Sequence, residues 1–381
     1  MKIAHVIATF PPYHGGMGYI CYHNARVLAD RGHDVTVFTL EHGRLGYEAD
    51  PTTFRIERMK PLLLYGDAGM VPSLVSKLTT FDMVHLHYPF FGGAEYVYWG
   101  SIVKGKPYFL TYHMDVHGDT PLKKAVIRCY EPLFLKRIVQ QAAGICSPGI
   151  PYLKSTKAAA FIPWHRHTDV MYGGVDTQLF QPTVKNHDII RQHQLEGKTV
   201  VLFVGNLIPF KGLHLLIEAI GSIPESSIVL LIVGGGYHEA EYRNKVNRSR
   251  LQERVIFAGP QSPQGLLTAY YNIADFLVLP STHSESFGLV VLEAMASGKP
   301  VIVSALPGPS QLIDPGKDGY AVPIGDVEAL SKAIMELAGA EKRRNKMGEA
   351  ARRKVLSHYS WERIGAQLES VYRGIIRNST S

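Results

Sequence analysis

At 381 residues the chain exceeds the size at which one hydrophobic core stops growing, so two domains are expected. Hydrophobic residues make up 46% and charged residues 19%, and no run of about 18 residues escapes charge or Gly/Pro interruption, which excludes a membrane-spanning helix. The formal net charge of +7 suits an anionic partner, although nothing resembling a nucleic-acid motif accompanies it, and no nucleic-acid partner is expected.

The first segment, MKIAHVIATFPP, is shorter than a secretory leader core and predicts a first β-strand. Cys21, Cys129 and Cys146 are scattered without metal-like spacing, so a reducing, cytoplasmic setting is expected. FPPYHGGMGYI follows, placing Gly15, Gly16 and Gly18 ahead of a predicted helix over Tyr19 to Arg31. This pattern is neither the dinucleotide fingerprint nor a Walker loop, and it is open between an anion-approaching turn and a plain tight turn.

DVTVFTL, MVHLH, YFLTYH and GICSP are short apolar runs separated by amphipathic ones, the pattern of βαβ units with a largely parallel sheet. His85 and His87 sit at a strand end and His165 and His167 in a basic loop, packed or solvent-facing rather than catalytic. His113, Asp115 and His117 are spaced by two, which leaves a metal triad as an alternative to a metal-free loop. Of the 17 histidines, 13 precede residue 196, concentrating polar contacts in the first half. PLKKAVIRCYEPLFLKRIVQQ sets Lys123, Lys124, Arg128, Lys136 and Arg137 on an amphipathic helix, and Leu62 to Tyr65 form an apolar loop. Together they suit either an ordinary surface or peripheral contact with an anionic membrane.

GVDTQLFQPTVKNHD interrupts the strand rhythm between Asp176 and Lys198, and the domain boundary is expected at 185/186. VVLFVG, SIVLLIVGGG, RVIFAG, DFLVLPS and PVIVSA then define a second parallel sheet over 186–359. Lys211, between GNLIPF and an apolar helix, stands at a helix start where a cation meets a phosphate, or is a plain loop lysine. Residues 341–376 read as helical, and a helix over 360–377 is expected to cross back onto the first domain (1–185). Ligands of such sheets bind beyond the strand C-termini, in the cleft between facing sheets.

SESFGLVVLEAMASGKPV is the densest motif. Residues eight apart in one helix are rotated by about 80°, so Glu285 and Glu293 cannot share a helix face. Glu285 is therefore assigned to a loop, Phe287 to Val290 supply unsatisfied amides, and Glu293 projects one turn inside the helix. Amides suit a diphosphate and carboxylates suit vicinal hydroxyls, which a sugar nucleotide combines.

The stretch ESFGLVVLEAMASGKPVI closely resembles the E-x7-E signature of retaining glycosyltransferases of family 4, which have the two-domain GT-B fold. The resemblance extends over nearly the whole chain, through PPYHGGMGYI, GGVDTQLFQP, VGNLIPFKG, LLIVGGGYHE, VIFAG and SWERI. It implies that Glu285 lies by the donor sugar, that Glu293 holds the ribose, and that Ser286, Phe287, Gly288, Leu289 and Val290 meet the diphosphate or sugar. It further implies that Lys211 neutralises the leaving diphosphate, that Gly15 and Gly16 close over it, and that the backbone at Ala258 contacts the base. TYHMDVHG is similar to the loop of mannosyltransferase-like members, making His113 a donor-sugar contact and Asp115 an acceptor-side partner beside Tyr13 and His14. Two departures stand out: Asn206 where the family often has Arg, and Tyr172-Gly173 where Pro-Asn often precedes GVD.

The expected activity is metal-independent, retaining transfer of a hexose, mannose first, from a GDP- or UDP-sugar to a lipid-linked or glycan acceptor at the inner membrane face, with no cofactor. A sugar-nucleotide epimerase of the same fold and a non-catalytic nucleotide-sugar binding protein are the alternatives.

Overall fold

A computed structural model of the chain describes residues 1–12, 15–42, 53–116, 118, 120–261 and 266–380. The backbone divides into Met1–Gly174 with Trp361–Ser381, and Val175–Ser360. This division falls ahead of 185/186 because the intervening residues are tied to the second unit. Val175 N donates to Tyr359 O at 2.9 Å, the Phe180 ring meets Tyr271 edge-on, and Thr183 N donates to Asn272 Oδ1 at 2.8 Å.

The strands of the first unit are β1 (Lys2–Val6), β2 (Asp34–Leu40), β3 (Arg55–Met59), β4 (Leu64–Tyr65), β5 (Ala68–Gly69), β6 (Met83–Tyr88), β7 (Tyr108–Tyr112) and β8 (Gly144–Cys146). Six of them form one sheet in the order β3-β2-β1-β6-β7-β8, all parallel. Near-continuous apolar runs such as DVTVFTL suit strands covered on both faces. The unexpected β3 (RIERM) is charged because it lies at the sheet edge, with Arg55 paired to Asp34 at 2.6 Å. The LLLY loop proves to be half of a small antiparallel hairpin, β4 with β5.

The basic segment expected as one helix runs through Pro121–Tyr130, a π turn over Glu131–Leu135, and Lys136–Gln141. Pro132 has no amide to give the helical ladder, and the wider turn carries the chain past it.

The expected long tail helix is broken at Tyr359–Ser360 into Glu341–His358 and Trp361–Thr380. In the last helix Trp361, Ile364, Leu368 and Tyr372 are buried, the i, i+3/i+4 stripe expected of an amphipathic helix. It packs on the helix Gly16–Asp30: the Trp361 ring stacks on His23 at 4.7 Å and 7°, and a Cβ on Gly365 would lie 2.7 Å from Val27.

The second unit holds β9 (Thr199–Val204), β10 (Ile228–Val233), β11 (Val255–Gly259), β12 (Phe276–Leu279), β13 (Val301–Ser304) and β14 (Gly319–Val322). Their order, β11-β10-β9-β12-β13-β14, repeats the plan of the first sheet, again all parallel. In each sheet the order reverses beside the strand that comes first, which puts a loop crevice beyond its C-terminal end.

Candidate functional site

In the second unit the loop after β9 is laced to its neighbours by backbone contacts. Leu207 N donates to Gly235 O at 3.0 Å, and a Cβ on Gly234 would lie 1.9 Å from Gly205 O, so only glycine allows the two loops to meet. The turn Pro209–Lys211 ends at Gly212, whose φ is +71° and whose added Cβ would lie 2.0 Å from Pro280 O. Thr282 N donates to Phe210 O at 2.8 Å. These contacts hold Lys211 against the segment that follows β12.

There the Lys211 ammonium donates to Glu285 Oε2 at 2.6 Å, and Ser281 Oγ donates to the same oxygen at 3.1 Å. The side chains are 18% and 10% exposed, leaving a narrow polar face to solvent. Glu285 is in a loop, as expected, and a Cβ on Gly308 would lie 2.3 Å from its carbonyl oxygen. The helix Leu289–Ala296 follows from Gly288. Its first amides have no intrahelical acceptor and lie at the positive end of the macrodipole. Ser286, Leu289 and Val290 are half-buried, Gly288 is buried, and the Phe287 side chain is buried in the core.

Glu293 lies inside the helix, half-buried, and accepts the Tyr271 hydroxyl at 2.6 Å. Burial pushes its carboxyl up to about 7, opposed by that hydrogen bond. Asn206 is exposed and its carbonyl accepts from Ile208 N at 2.9 Å. Ala258 lies on edge strand β11, its carbonyl accepting Gln261 Nε2 at 3.3 Å. Lys211, Glu285 and the helix start are thus brought together. Ser281 and Tyr271 complete the carboxylates' surroundings, and no motif spacing announces either one.

In the first unit Gly15 is extended and exposed at the start of the helix Gly16–Asp30, with Gly16 exposed beside it. Tyr13, His14 and His117 lie outside the described residues. Asp115 accepts the Tyr112 hydroxyl and the Lys157 amide, the latter at 3.0 Å. His113, at the end of β7, is 1% exposed. Its Nε2 is 2.9 Å from His87 Nδ1, and its Nδ1 is 2.7 Å from the Tyr172 hydroxyl. With both nitrogens engaged, the His113 ring is not set for a metal.

His5, His85 and His87 form a second histidine group, with nitrogens within 4.8 Å of one another. His5 and His85 are register partners on β1 and β6, and His87 follows on the same face. His85 already meets Thr111 Oγ1 at 2.7 Å and the Tyr372 hydroxyl at 2.6 Å. His87 meets His5 at 3.0 Å and His113. A metal held through His5 Nε2 would take one nitrogen each from His85 and His87 and displace two of these bonds. Burial holds all of these imidazoles neutral, His5 and His113 pushed down to about 3 and His85 and His87 well below the ordinary value. His85 and His87 are packed, as expected; Tyr372 and His5 were not legible as their partners, nor Tyr172 as that of His113.

Two α/β units of this topology define the GT-B class of fold, and the comparisons with known proteins agree. The model "Glycosyltransferase Family 4" matches residues 14–179 and "Glycosyl transferases group 1" matches residues 185–354. The chain belongs to the GT-B glycosyltransferases of the family 4 type. It is 26% identical to spore coat protein SA of Bacillus subtilis, covering 98% of this chain and 99% of that protein. It is also 26% identical to O-antigen chain mannosyltransferase C of Escherichia coli, covering 93% of each. Other curated relatives are matched over about half of their length. Among solved structures, Anabaena HepE in complex with UDP superposes with a TM-score of 0.79 at 19% identity, covering 98% of this chain and all of that one. No described helix is long and apolar enough to cross a membrane.

Proposed function

We propose that this glycosyltransferase moves a hexose, mannose first, from a nucleotide diphosphate sugar to a lipid-linked or glycan acceptor, with retention at the anomeric carbon and without a metal. The observation that carries the reading is the Lys211–Glu285 pair at 2.6 Å, in the loops beside the start of helix Leu289–Ala296. The full-length similarity to a mannosyltransferase favours mannose. Fold relatives solved with UDP and UDP-glucose make a UDP-hexose the second donor to GDP-mannose.

In this reading the amides from Ser286 to Val290 meet the diphosphate, and Glu293 takes the ribose hydroxyls in place of, or beside, the Tyr271 hydroxyl. Gly15, Gly16 and Asn206 approach the phosphates, and the Ala258 backbone meets the base. The bond from the anomeric carbon to the phosphate oxygen breaks while the acceptor oxygen bonds to the same face. The acceptor's proton passes to the departing phosphate, whose charge Lys211 and the amides stabilise. Glu285 keeps Lys211 oriented and accepts from sugar hydroxyls, while His113 and Asp115 border the sugar and acceptor.

A membrane-borne acceptor is favoured by the helix Pro121–Tyr130, none of whose residues is buried. Leu122 and Val126 are exposed beside its lysines, as are Leu62, Leu63 and Tyr65. An apolar surface interleaved with cations suits an anionic bilayer at its cytoplasmic face.

A thermal-shift screen against GDP, UDP, ADP and their hexose conjugates tests the donor, since a ligand of the folded state raises its stability. The anomeric coupling of the product, read by NMR, tests retention. Epimerised sugar formed without any acceptor would instead identify an epimerase of the same fold, and tight donor binding without turnover a binding protein.

A further inference from the structure

Three histidines of the first unit form a hydrogen-bonded file with a tyrosine: Tyr172 hydroxyl, His113, His87, His5, with spacings of 2.7, 2.9 and 3.0 Å. Every imidazole in it is buried, at 1% exposure or less. A neutral imidazole has one N–H and one lone pair, so each must donate on one side and accept on the other. The file therefore has only two consistent states. Either every proton sits on Nδ1 and donation runs from His5 toward Tyr172, or every proton sits on Nε2 and donation runs the other way.

The far end separates these states. His5 Nε2 is buried and has no hydrogen-bond partner among the described residues. In the second state it would be an orphaned N–H, whereas in the first it is a bare lone pair. Buried orphan donors are the rarer of the two. His85 cannot relieve it, because its nitrogens are given to Thr111 and Tyr372, although its ring stacks on His87 at 4.1 Å.

We infer that His87 and Tyr172 are positioning residues that hold His113 as a neutral Nδ1–H imidazole, accepting at Nε2 from His87 and donating at Nδ1 to the Tyr172 oxygen. His113 then offers neither ring nitrogen to a reacting group. It bounds the sugar subsite as a rigid uncharged wall, anchored also by its amide to Tyr88 O at 2.9 Å. The inference rests on the reading of His113 as a donor-sugar neighbour. It also gives Tyr172, one of the two departures from the family pattern, a role: its hydroxyl oxygen accepts from His113 Nδ1.

The test is long-range 1H–15N NMR on the full chain with ring-labelled histidine, which reads the tautomer directly. The expected result at neutral pH is Nδ1–H for His5, His87 and His113; an Nε2–H signal for His113 in the unaltered protein overturns the inference without any variant. His87→Phe removes the donor to His113 and should spread it over two tautomers, with kcat falling by roughly 10²-fold for a displacement of about 1 Å and KM for the donor little changed. His87→Gln, whose amide again supplies a donor, should restore one tautomer and most of kcat. An undisturbed His113 signal in a folded His87→Phe protein would equally overturn it. If the tautomers are as stated but no sugar is transferred by the unaltered protein, the transferase reading fails and the positioning stands.

Discussion

The two sheets share a strand order but not an interior. At the centre of the second, β9 (TVVLFV) is apolar after its first residue and β12 (FLVL) throughout, and the Lys211–Glu285 pair is held in loops past the strand ends. At the centre of the first, β1 and β6 carry His5, His85 and His87, all at 0% exposure. The second unit is thus a plain hydrophobic platform for a polar rim. In the first, polarity penetrates the sheet, and its histidine nitrogens are partnered except for His5 Nε2; stranding a further one costs about 1–3 kcal/mol.

The sharpest way to break this contrast is at the rim. Lys211→Ala or Glu285→Gln is expected to lower kcat by roughly 10²- to 10³-fold while the melting temperature stays within a few degrees. Steady-state transfer assays beside calorimetry check it, and full activity in either variant would remove the rim from the chemistry. Inside the first sheet the effect should be on stability instead. His85→Phe strands Thr111 and Tyr372, partners at 2.7 and 2.6 Å, and should lose about 2–3 kcal/mol in urea unfolding.

Glu293 offers a pH test of the second unit. Its folded-state value is raised from 4.5 to about 7, so its contribution to stability is full below about 4.5 and drains away as pH rises through about 7. Glu293→Gln should therefore match the parent in acid and exceed it above pH 7, by about 1–3 kcal/mol; parallel stability curves would contradict this. Glu369 behaves oppositely. Hydrogen bonds from Arg373 and Arg31 hold its carboxyl down to about 2 from 4.5, so its contribution is present above about 4.5 and lost as pH falls through about 2. After solvent screening Glu369→Gln should cost at most about 1 kcal/mol at neutral pH and nothing near pH 2, as acid titration of thermal melts would show.

What was legible in the sequence follows the same division. Most strands of both sheets announced themselves as unbroken β-branched runs, and the E-x7-E spacing with helical geometry was enough to put Glu285 in a loop and Glu293 in a helix. Two edge strands escaped: β3 alternates charge because one side is free, and β14 (GYAV) offers one β-branched residue beside a glycine and an alanine. Tyr271, 22 positions from Glu293, was invisible, and Lys211, although assigned to the same donor site as Glu285, gave no sign of pairing with it across 74 positions. Only the fold brings them together. Likewise, the β6 histidines read singly as packed or solvent-facing and His5 on β1 drew no reading, because the bond that joins His5 to His87 spans 82 positions.

The helix Trp361–Thr380 closes the first unit from the far side of the sequence. On the ribosome, β1 and β6 would therefore emerge long before Tyr372, which caps His85. The second unit, continuous from Val175 to Ser360, has all its parts at hand earlier. The usual order, in which the domain nearest the N-terminus is finished first, is not open to this chain as a whole: the first unit lacks the partner of His85 until its helix Trp361–Thr380 has been made.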